Sequence, residues 1–373
     1  MTADAVGGVW TYALDLARAL GDSGMDIVIA VLGPSPSRAQ RLELLPLRHV
    51  SVFEHGGRLE WMDDPWRDVA AASDWLLDLH RACAPDIVHL NGYCHGDLPW
   101  SCPVLMVGHS CVRSWWRAVN GTDAPTAWRT YSNEVARGLA AAGLVVSPSH
   151  AMLSALQQHY GPLARAAVIA NGRSVRPLPV PKEPFVFTAG RLWDEAKNIG
   201  AVCRAAPALS WPVYVAGEGE LPPSCRSVSP LGRLSTRQIT AWMSRASIYA
   251  LPARYEPFGL SALEAALAGC ALVLGRIDSL QEIWGDAALY VDPDDQDQLR
   301  AALLRLIGDD RLRRRMGARA RTRAQAFTPA RMAAAYLDAY RHLARSRDAA
   351  DRSRARVRVV SPASAFVPAP IES

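Results

Sequence analysis

Long apolar runs are missing from this chain. No uninterrupted stretch reaches the ~18–20 residues that span a bilayer, so any contact with a membrane is expected to be peripheral, at its inner face. No Cys-x-x-Cys pair occurs among the seven cysteines, Cys83, Cys94, Cys102, Cys111, Cys203, Cys225 and Cys270, and the spacing of His89, Cys94 and His95 fits no zinc set. No signal peptide precedes them, and the resulting reading is a reducing cytoplasm with buried free thiols. A Gly-x-Gly-x-x-Gly fingerprint is absent too; Gly7-Gly8-Val9 is a different turn, which argues against a nicotinamide site. Strong charge of one sign is also lacking. The net charge is +5, and the arginines gathered in 311–323 and 341–358 read as a solvated helix face and a disordered tail rather than as a surface for nucleic acid or anionic lipid. There is no internal repeat.

What the chain does have is length and alternation. At 373 residues and 50% hydrophobic content it exceeds one ordinary core, which predicts two domains. In the first half a helix is expected from Trp10 to Leu20 and strands at Ile27–Leu32, Ile87–Leu90 and Val104–Val107. Leu144-Val145-Val146 then leads through Ser149, a helix cap, into Ala151–His159. Strands that alternate with helices imply parallel, right-handed crossovers. The proline-rich stretch from Arg176 to Pro184 sustains neither helix nor central strand and reads as a linker. A second series follows, at Phe185–Thr188, Val213–Ala216, Ile248–Leu251, Ala271–Leu274 and Leu289–Val291, each nearly continuous in apolar residues as strands covered on both faces are. Thr328-Pro329 starts a terminal helix to about residue 345.

The sharpest chemical signal is a pair of glutamates, Glu256 and Glu264, on either side of Pro257-Phe258-Gly259-Leu260. A Pro/Gly turn running into a helix sets one carboxylate at the mouth of a cleft and the other a helical stretch deeper. The amides of Phe258, Gly259 and Leu260 open that helix, where unpaired N–H groups and the dipole favour an anion such as a pyrophosphate. Arg191, after Gly190, and Lys197 are placed to converge at the C-terminal edge of the second sheet, where open α/β folds bind ligands. His109 follows the strand Val104–Val107, with His89 and Asn91 as weaker neighbours. Gly217-Glu218-Gly219 makes a strand-to-loop turn.

In this order (Gly7-Gly8-Val9, His109, Gly190-Arg191 with Lys197, Gly217-Glu218-Gly219, then Glu256-x7-Glu264) the chain resembles the retaining glycosyltransferases of family four over roughly residues 5 to 342. The resemblance implies an α/β GT-B fold, two Rossmann-like domains with parallel sheets facing across a cleft. The divisions expected are 1–175 for the acceptor-binding domain, 176–184 for the linker and 185–328 for the nucleotide-sugar domain. Residues 329–345 would form a helix crossing back to the first domain, and 346–373 a disordered tail. It also implies a metal-independent transfer from a nucleoside diphosphate sugar to an unidentified acceptor, with no other cofactor and no nucleic-acid partner. By motif position Glu256 meets the donor sugar, Glu264 the ribose, Arg191 and Lys197 the leaving pyrophosphate, and His109 a sugar hydroxyl. Gly7, Gly8, Gly190, Gly217, Phe258, Gly259 and Leu260 complete the donor site.

Other readings keep the fold: a sugar-nucleotide epimerase or a phosphorylase with a cofactor lysine, or a non-catalytic nucleotide-sugar-binding protein. Asp292-Pro293-Asp294-Asp295 follows a strand and precedes Gln298, so it reads as a helix cap and not as a metal motif. Asn171-Gly172-Arg173-Ser174 departs from the family, where an aspartate follows the turn. Trp61, Trp66, Trp115 and Trp116 are candidates for stacking on an acceptor. The residues before Gly7 are few and polar for a first central strand of about 5–6 residues, which suggests apolar residues upstream of Met1.

Overall fold

Short, β-branched segments separated by helices fold into three parallel sheets in the computed structural model, which describes residues 1–221 and 225–358, as backbone only beyond 346. The first half holds a three-stranded sheet, β1 (Thr2–Asp4), β2 (Ile27–Leu32) and β3 (Val50–His55). Beside it lies a four-stranded sheet, β4 (Val88–Leu90), β5 (Val104–Val107), β6 (Leu144–Ser147) and β7 (Ala166–Val168). The second half is one six-stranded sheet made of β8 (Glu183–Ala189), β9 (Val213–Ala216), β10 (Ser229–Gly232), β11 (Ala246–Leu251), β12 (Ala271–Gly275) and β13 (Leu289–Val291). Its spatial order is β10-β9-β8-β11-β12-β13.

Helices cover both faces. In the first half they are α1 (Gly8–Gly21), α2 (Arg38–Leu44), α3 (Trp66–Cys83), α4 (Val112–Asn120), α5 (Arg129–Ala141) and α6 (His150–Tyr160). In the second they are α7 (Ile199–Ala205), α8 (Thr236–Arg245), α9 (Leu260–Leu267), α10 (Asp278–Trp284), α11 (Gln296–Gly308), α12 (Asp310–Ala324) and α13 (Pro329–Arg358). The period-2 alternation of a strand divides the second core in two. Phe187, Tyr249, Leu272 and Leu274 pack on α9, α10 and α12, while Val186, Ile248, Ala250 and Val273 pack on α7 and α11.

Thr2–Asp4, polar for a doubly covered strand, nevertheless pair with Ala30–Leu32 of β2. Thr2 serves the other edge through its side chain and carbonyl: the Asn91 backbone N–H donates to Thr2 Oγ1 at 2.8 Å, and the Asn91 amide donates to Thr2 O at 2.6 Å. These bonds join the two sheets of the first half where β1 meets β4. Glu183 and Pro184, expected in the linker, open β8. The proline is tolerated because the β8–β11 register shifts between Ala246 and Ile248, and β8–β9 pairing begins only at Val186.

Thr328 caps α13 by accepting the Arg331 N–H at 3.2 Å, and the helix then lays Met332, Ala333, Tyr336, Tyr340 and Leu343 into the core beneath α1. The helix expected to stop near 345 continues to Arg358, in keeping with the helix propensity of its Ala/Arg-rich sequence. The rest of the expected tail, 359–373, lies outside the described residues. The thiol expectation is corrected for one pair. Cys203 on α7 and Cys225 are joined by a disulfide across 22 positions, both packed in the core on one face of the six-stranded sheet. Cys94, Cys111 and Cys270 are buried thiols.

On the arginine-rich α12, Arg313 and Arg314 pair with Asp310, Arg319 with Asp286, and Arg323 donates to Ile283 O at 2.7 Å. Among the described residues no helix is long and apolar enough to cross a membrane.

Candidate active site

Strand ends place the chemistry. The carboxyl ends of β1, β5, β8 and β11 deliver Gly7, His109, Arg191 and the loop bearing Glu256 to one cavity of about 740 Å³ between the two halves. Gly8, Gly190, Lys197, Phe258, Gly259, Leu260 and Glu264 line it as well. Gly7 and Gly8 are small because the opposite wall is close: a Cβ on Gly7 would sit 3.0 Å from Arg191 Nη1, and one on Gly8 3.3 Å from Leu260 Cδ1. Gly217 is not among the lining residues. A Cβ there would overlap the Gly190 carbonyl oxygen, so its role is to let the turn after β9 pack under Gly190.

Both cations carry a carboxylate partner. Lys197 Nζ lies 2.6 Å from Glu256 Oε2, and Arg191 Nη2 lies 2.6 Å from Asp194 Oδ2, with its guanidinium over the Trp193 ring at 5.0 Å. Asp194 is 4% exposed. Burial alone would raise its pKa, but Lys197, Arg191 and the bond from Trp115 together hold it below the usual carboxylate range. Glu256 Oε1 accepts the Gly259 N–H at 3.0 Å, so one of the amides expected to meet a pyrophosphate is held by the glutamate itself. Gly259, the N-cap of α9, has φ +90°, a conformation that favours glycine. Depth does not distinguish the two glutamates, whose side chains are 14% and 15% exposed.

Glu264 is held by Arg173, from the turn that departs from the family. Arg173 Nε donates to Glu264 Oε1 at 2.6 Å, and Nη1 donates to Asp15 Oδ2 of α1 at 2.8 Å. Burial opposes the guanidinium charge, but Glu264 and Asp15 more than offset it and push its pKa up. An ion triad thus ties α1, the segment between the sheets and α9.

His109 is fixed by its neighbours. The Asn91 amide nitrogen is committed to Thr2 O, so Asn91 Oδ1 faces His109 Nε2 at 2.9 Å and assigns the hydrogen to that nitrogen. Nδ1 is then an acceptor. Burial lowers the His109 pKa to about 3, so the ring is neutral, and the Tyr12 ring packs edge-on at 4.5 Å. Asn91 Oδ1 also lies 3.3 Å from His89 Nε2, and His89 Nδ1 lies 2.6 Å from the hydroxyl of Tyr340 on α13, so the terminal helix supports the same network.

Sequence reasoning missed Asp194, Tyr255, Trp128 and Trp193, all of which line the cavity. Asp194-x-x-Lys197 was the available signal for the first; Tyr255 carries none, since its partners Ser114 and Cys111 are remote in sequence. Tyr255 Oη reaches Ser114 Oγ at 2.8 Å, and Trp115 Nε1 donates to Asp194 at 3.0 Å, both across the cleft. Trp61, Trp115 and Trp116 line the cavity; Trp66 does not. Arg191 Nε and Asn171 Oδ1, both on the cavity wall, are buried without a hydrogen-bond partner among the described residues. No group of three or more His, Cys, Asp or Glu among those residues is set to hold a metal ion, and Asp295 caps α11 by accepting from Asp297 and Gln298.

The sequence profile described as "Glycosyltransferase Family 4" matches residues 6–176, and that described as "Glycosyl transferases group 1" matches residues 183–309. A glycogen synthase of Mycobacterium tuberculosis is 31% identical over 382 residues, covering 85% of this chain and 86% of its own. A D-inositol 3-phosphate glycosyltransferase of Xylanimonas cellulosilytica is 25% identical over 396 residues, covering 93% and 94%. Among solved structures, sucrose-phosphate synthase of Thermosynechococcus elongatus superposes with a TM-score of 0.75 at 19% identity, covering 89% and 92%. Anabaena HepE in complex with UDP and glucose superposes with a TM-score of 0.72 at 17% identity, covering 92% and 100%. The chain therefore belongs to the group 1, family 4 glycosyltransferases and has the GT-B fold.

Proposed function

We propose that the protein is a retaining, metal-independent hexosyltransferase that moves a sugar from a nucleoside diphosphate sugar to an acceptor hydroxyl, in the making of a polysaccharide or glycoconjugate, in the cytoplasm and peripheral to the inner face of the membrane. The single observation that carries this is the convergence of Arg191, Lys197, Glu256, Glu264 and neutral His109 on one cavity. Arg191 and Lys197 supply the charge that a departing pyrophosphate needs, and their carboxylate partners hold them in place until it arrives. Glu256 then turns to the donor sugar hydroxyls and Glu264 grips the ribose. His109, as an acceptor at Nδ1, takes a hydrogen bond from a sugar hydroxyl.

No side chain is assigned as a covalent nucleophile. The acceptor oxygen attacks from the face the diphosphate leaves, and a phosphate oxygen takes its proton, which gives retention. The first donor to try is UDP-glucose, because a solved HepE structure that superposes on this fold binds it. The phosphorylase alternative is less supported: of the two lysines in the chain, Lys197 pairs with Glu256, and Lys182 Nζ donates to Met243 O.

Thermal stabilisation across a panel of nucleotide sugars tests donor binding; a ligand at ~100 times its Kd adds ~2.7 kcal/mol. The anomeric configuration of the first-formed product, read by NMR, tests retention, and an inverted product overturns it. Transfer is expected to survive excess EDTA, because the two cations already supply the charge. Complete loss restored by magnesium or manganese refutes the leaving-group assignment.

A further inference from the structure

The acceptor side of the cavity is aromatic and carries no positive charge. Among the described residues of the first 172 positions that line it there is no lysine or arginine, whereas Asp4 and Glu60 are both present. The lining cations, Arg191 and Lys197, come from the second half and are each paired with a carboxylate. A phosphorylated acceptor would bring a charge of roughly −1.5 to −2 against this wall with no local cation to meet it.

What the wall offers instead is indole surface. Trp61, Trp115, Trp116 and Trp128 line the cavity half-buried, while Trp10 and Trp284 are sealed in the cores. Their orientations are set by the fold. The Trp115 N–H is tied to Asp194, Trp116 stands edge-on to Trp115 at 6.0 Å, and Trp128 stands edge-on to Tyr131 at 5.7 Å. An indole face is a flat apolar partner for the C–H face of a pyranose ring, and aromatic side chains lose little freedom on binding. A purely apolar acceptor would instead leave Asn171 Oδ1, buried on the cavity wall without a partner among the described residues, unsatisfied.

We propose that the acceptor is an uncharged saccharide that stacks on Trp116 and Trp128, and not a sugar phosphate, an inositol phosphate or a lipid phosphate. The proposal rests on the transferase reading above and deepens it by naming the acceptor class.

The test uses the full chain with UDP-glucose, or with whichever donor stabilises it most. Acceptor-independent donor hydrolysis is measured first. Transfer is then measured to neutral α-glucan and α-mannan oligosaccharides of two to seven units, to the same oligosaccharides carrying a terminal phosphate, to inositol phosphate and to an alkyl alcohol. At least one neutral series is expected to be accepted, with kcat/KM tenfold or more above its phosphorylated form. Trp116→Ala and Trp128→Ala should each raise acceptor KM at least tenfold while nucleotide-sugar affinity stays within twofold, and Trp116→Tyr should restore most of the loss. Parity or preference for a phosphorylated or alkyl acceptor overturns the proposal, as does hydrolysis with no neutral saccharide accepted, or an unchanged acceptor KM in both tryptophan variants. A wild-type protein that neither binds nor hydrolyses any nucleotide sugar defeats the transferase reading itself, and the proposal with it.

Discussion

At the scale of single residues, the site is built from charges that satisfy one another before any ligand does. Lys197 with Glu256 and Arg191 with Asp194 are close, partly buried pairs, so removing one partner disturbs the other. Glu256→Gln and Arg191→Ala are each expected to lower transfer by at least tenfold with the circular-dichroism spectrum preserved, and Arg191→Ala to melt lower because it leaves the buried Asp194 with one cation fewer. Wild-type turnover in both would discard the assignment. Arg173 matters for a different reason, because it holds Glu264 and neutralises Asp15, which is 2% exposed. Breaking such a buried pair costs about 3–5 kcal/mol. Arg173→Ala should therefore lower denaturant stability by about 3 kcal/mol and weaken nucleotide binding in calorimetric titration. A variant with wild-type stability and affinity would show that the triad holds nothing in place.

At the scale of elements, the turn Glu256–Leu260 is the most constrained piece of the site. Gly259 takes φ +90° so that its N–H can reach Glu256 and α9 can start on the next residue. Forcing another residue into the left-handed region costs roughly 1–2 kcal/mol, and a Cβ would also press on Leu280 Cδ2 at 3.2 Å. Gly259→Ala is expected to lose at least that much stability and to raise donor KM more than acceptor KM. Equal changes in the two constants would detach this turn from donor binding. The Glu-x7-Glu spacing and its Pro/Gly turn were plain in the sequence; that Glu256 itself occupies the Gly259 amide was not, since hydrogen-bond direction depends on the turn's folded dihedrals.

At the scale of the whole molecule, buried neutral histidines link stability to pH. Burial holds His109 at about 3 and His95 at about 4, and pushes His89 well below its ordinary value. The unfolded chain binds these protons near pH ~6.5 and the native state does not. Their contribution is thus complete above pH ~6.5 and is lost as pH falls from there toward the folded values, at about 1.4 kcal/mol per pH unit per group. Urea melts at pH 7.5, 6 and 5 should show this decline, shallower in His109→Asn. A flat profile would mean that the histidines are not buried neutral.

The sequence by itself determined the alternation of strands and helices, the parallel crossovers, the helix caps at Ser149 and Thr328, and the order of the motifs, because each is written in local periodicity and turn chemistry. It misjudged Thr2–Asp4, Pro184 and the extent of α13, where pairing partners or helix propensity outweighed a local signal. Only the tertiary structure decided which distant residues meet: Arg173 on Glu264 and Trp115 on Asp194 at the cleft, Tyr340 behind His89, and Cys203 with Cys225 inside the second core. These contacts join residues 22 to 251 positions apart. Chain order carries no record of such pairs, whose geometry exists only once two cores and a returning helix have packed.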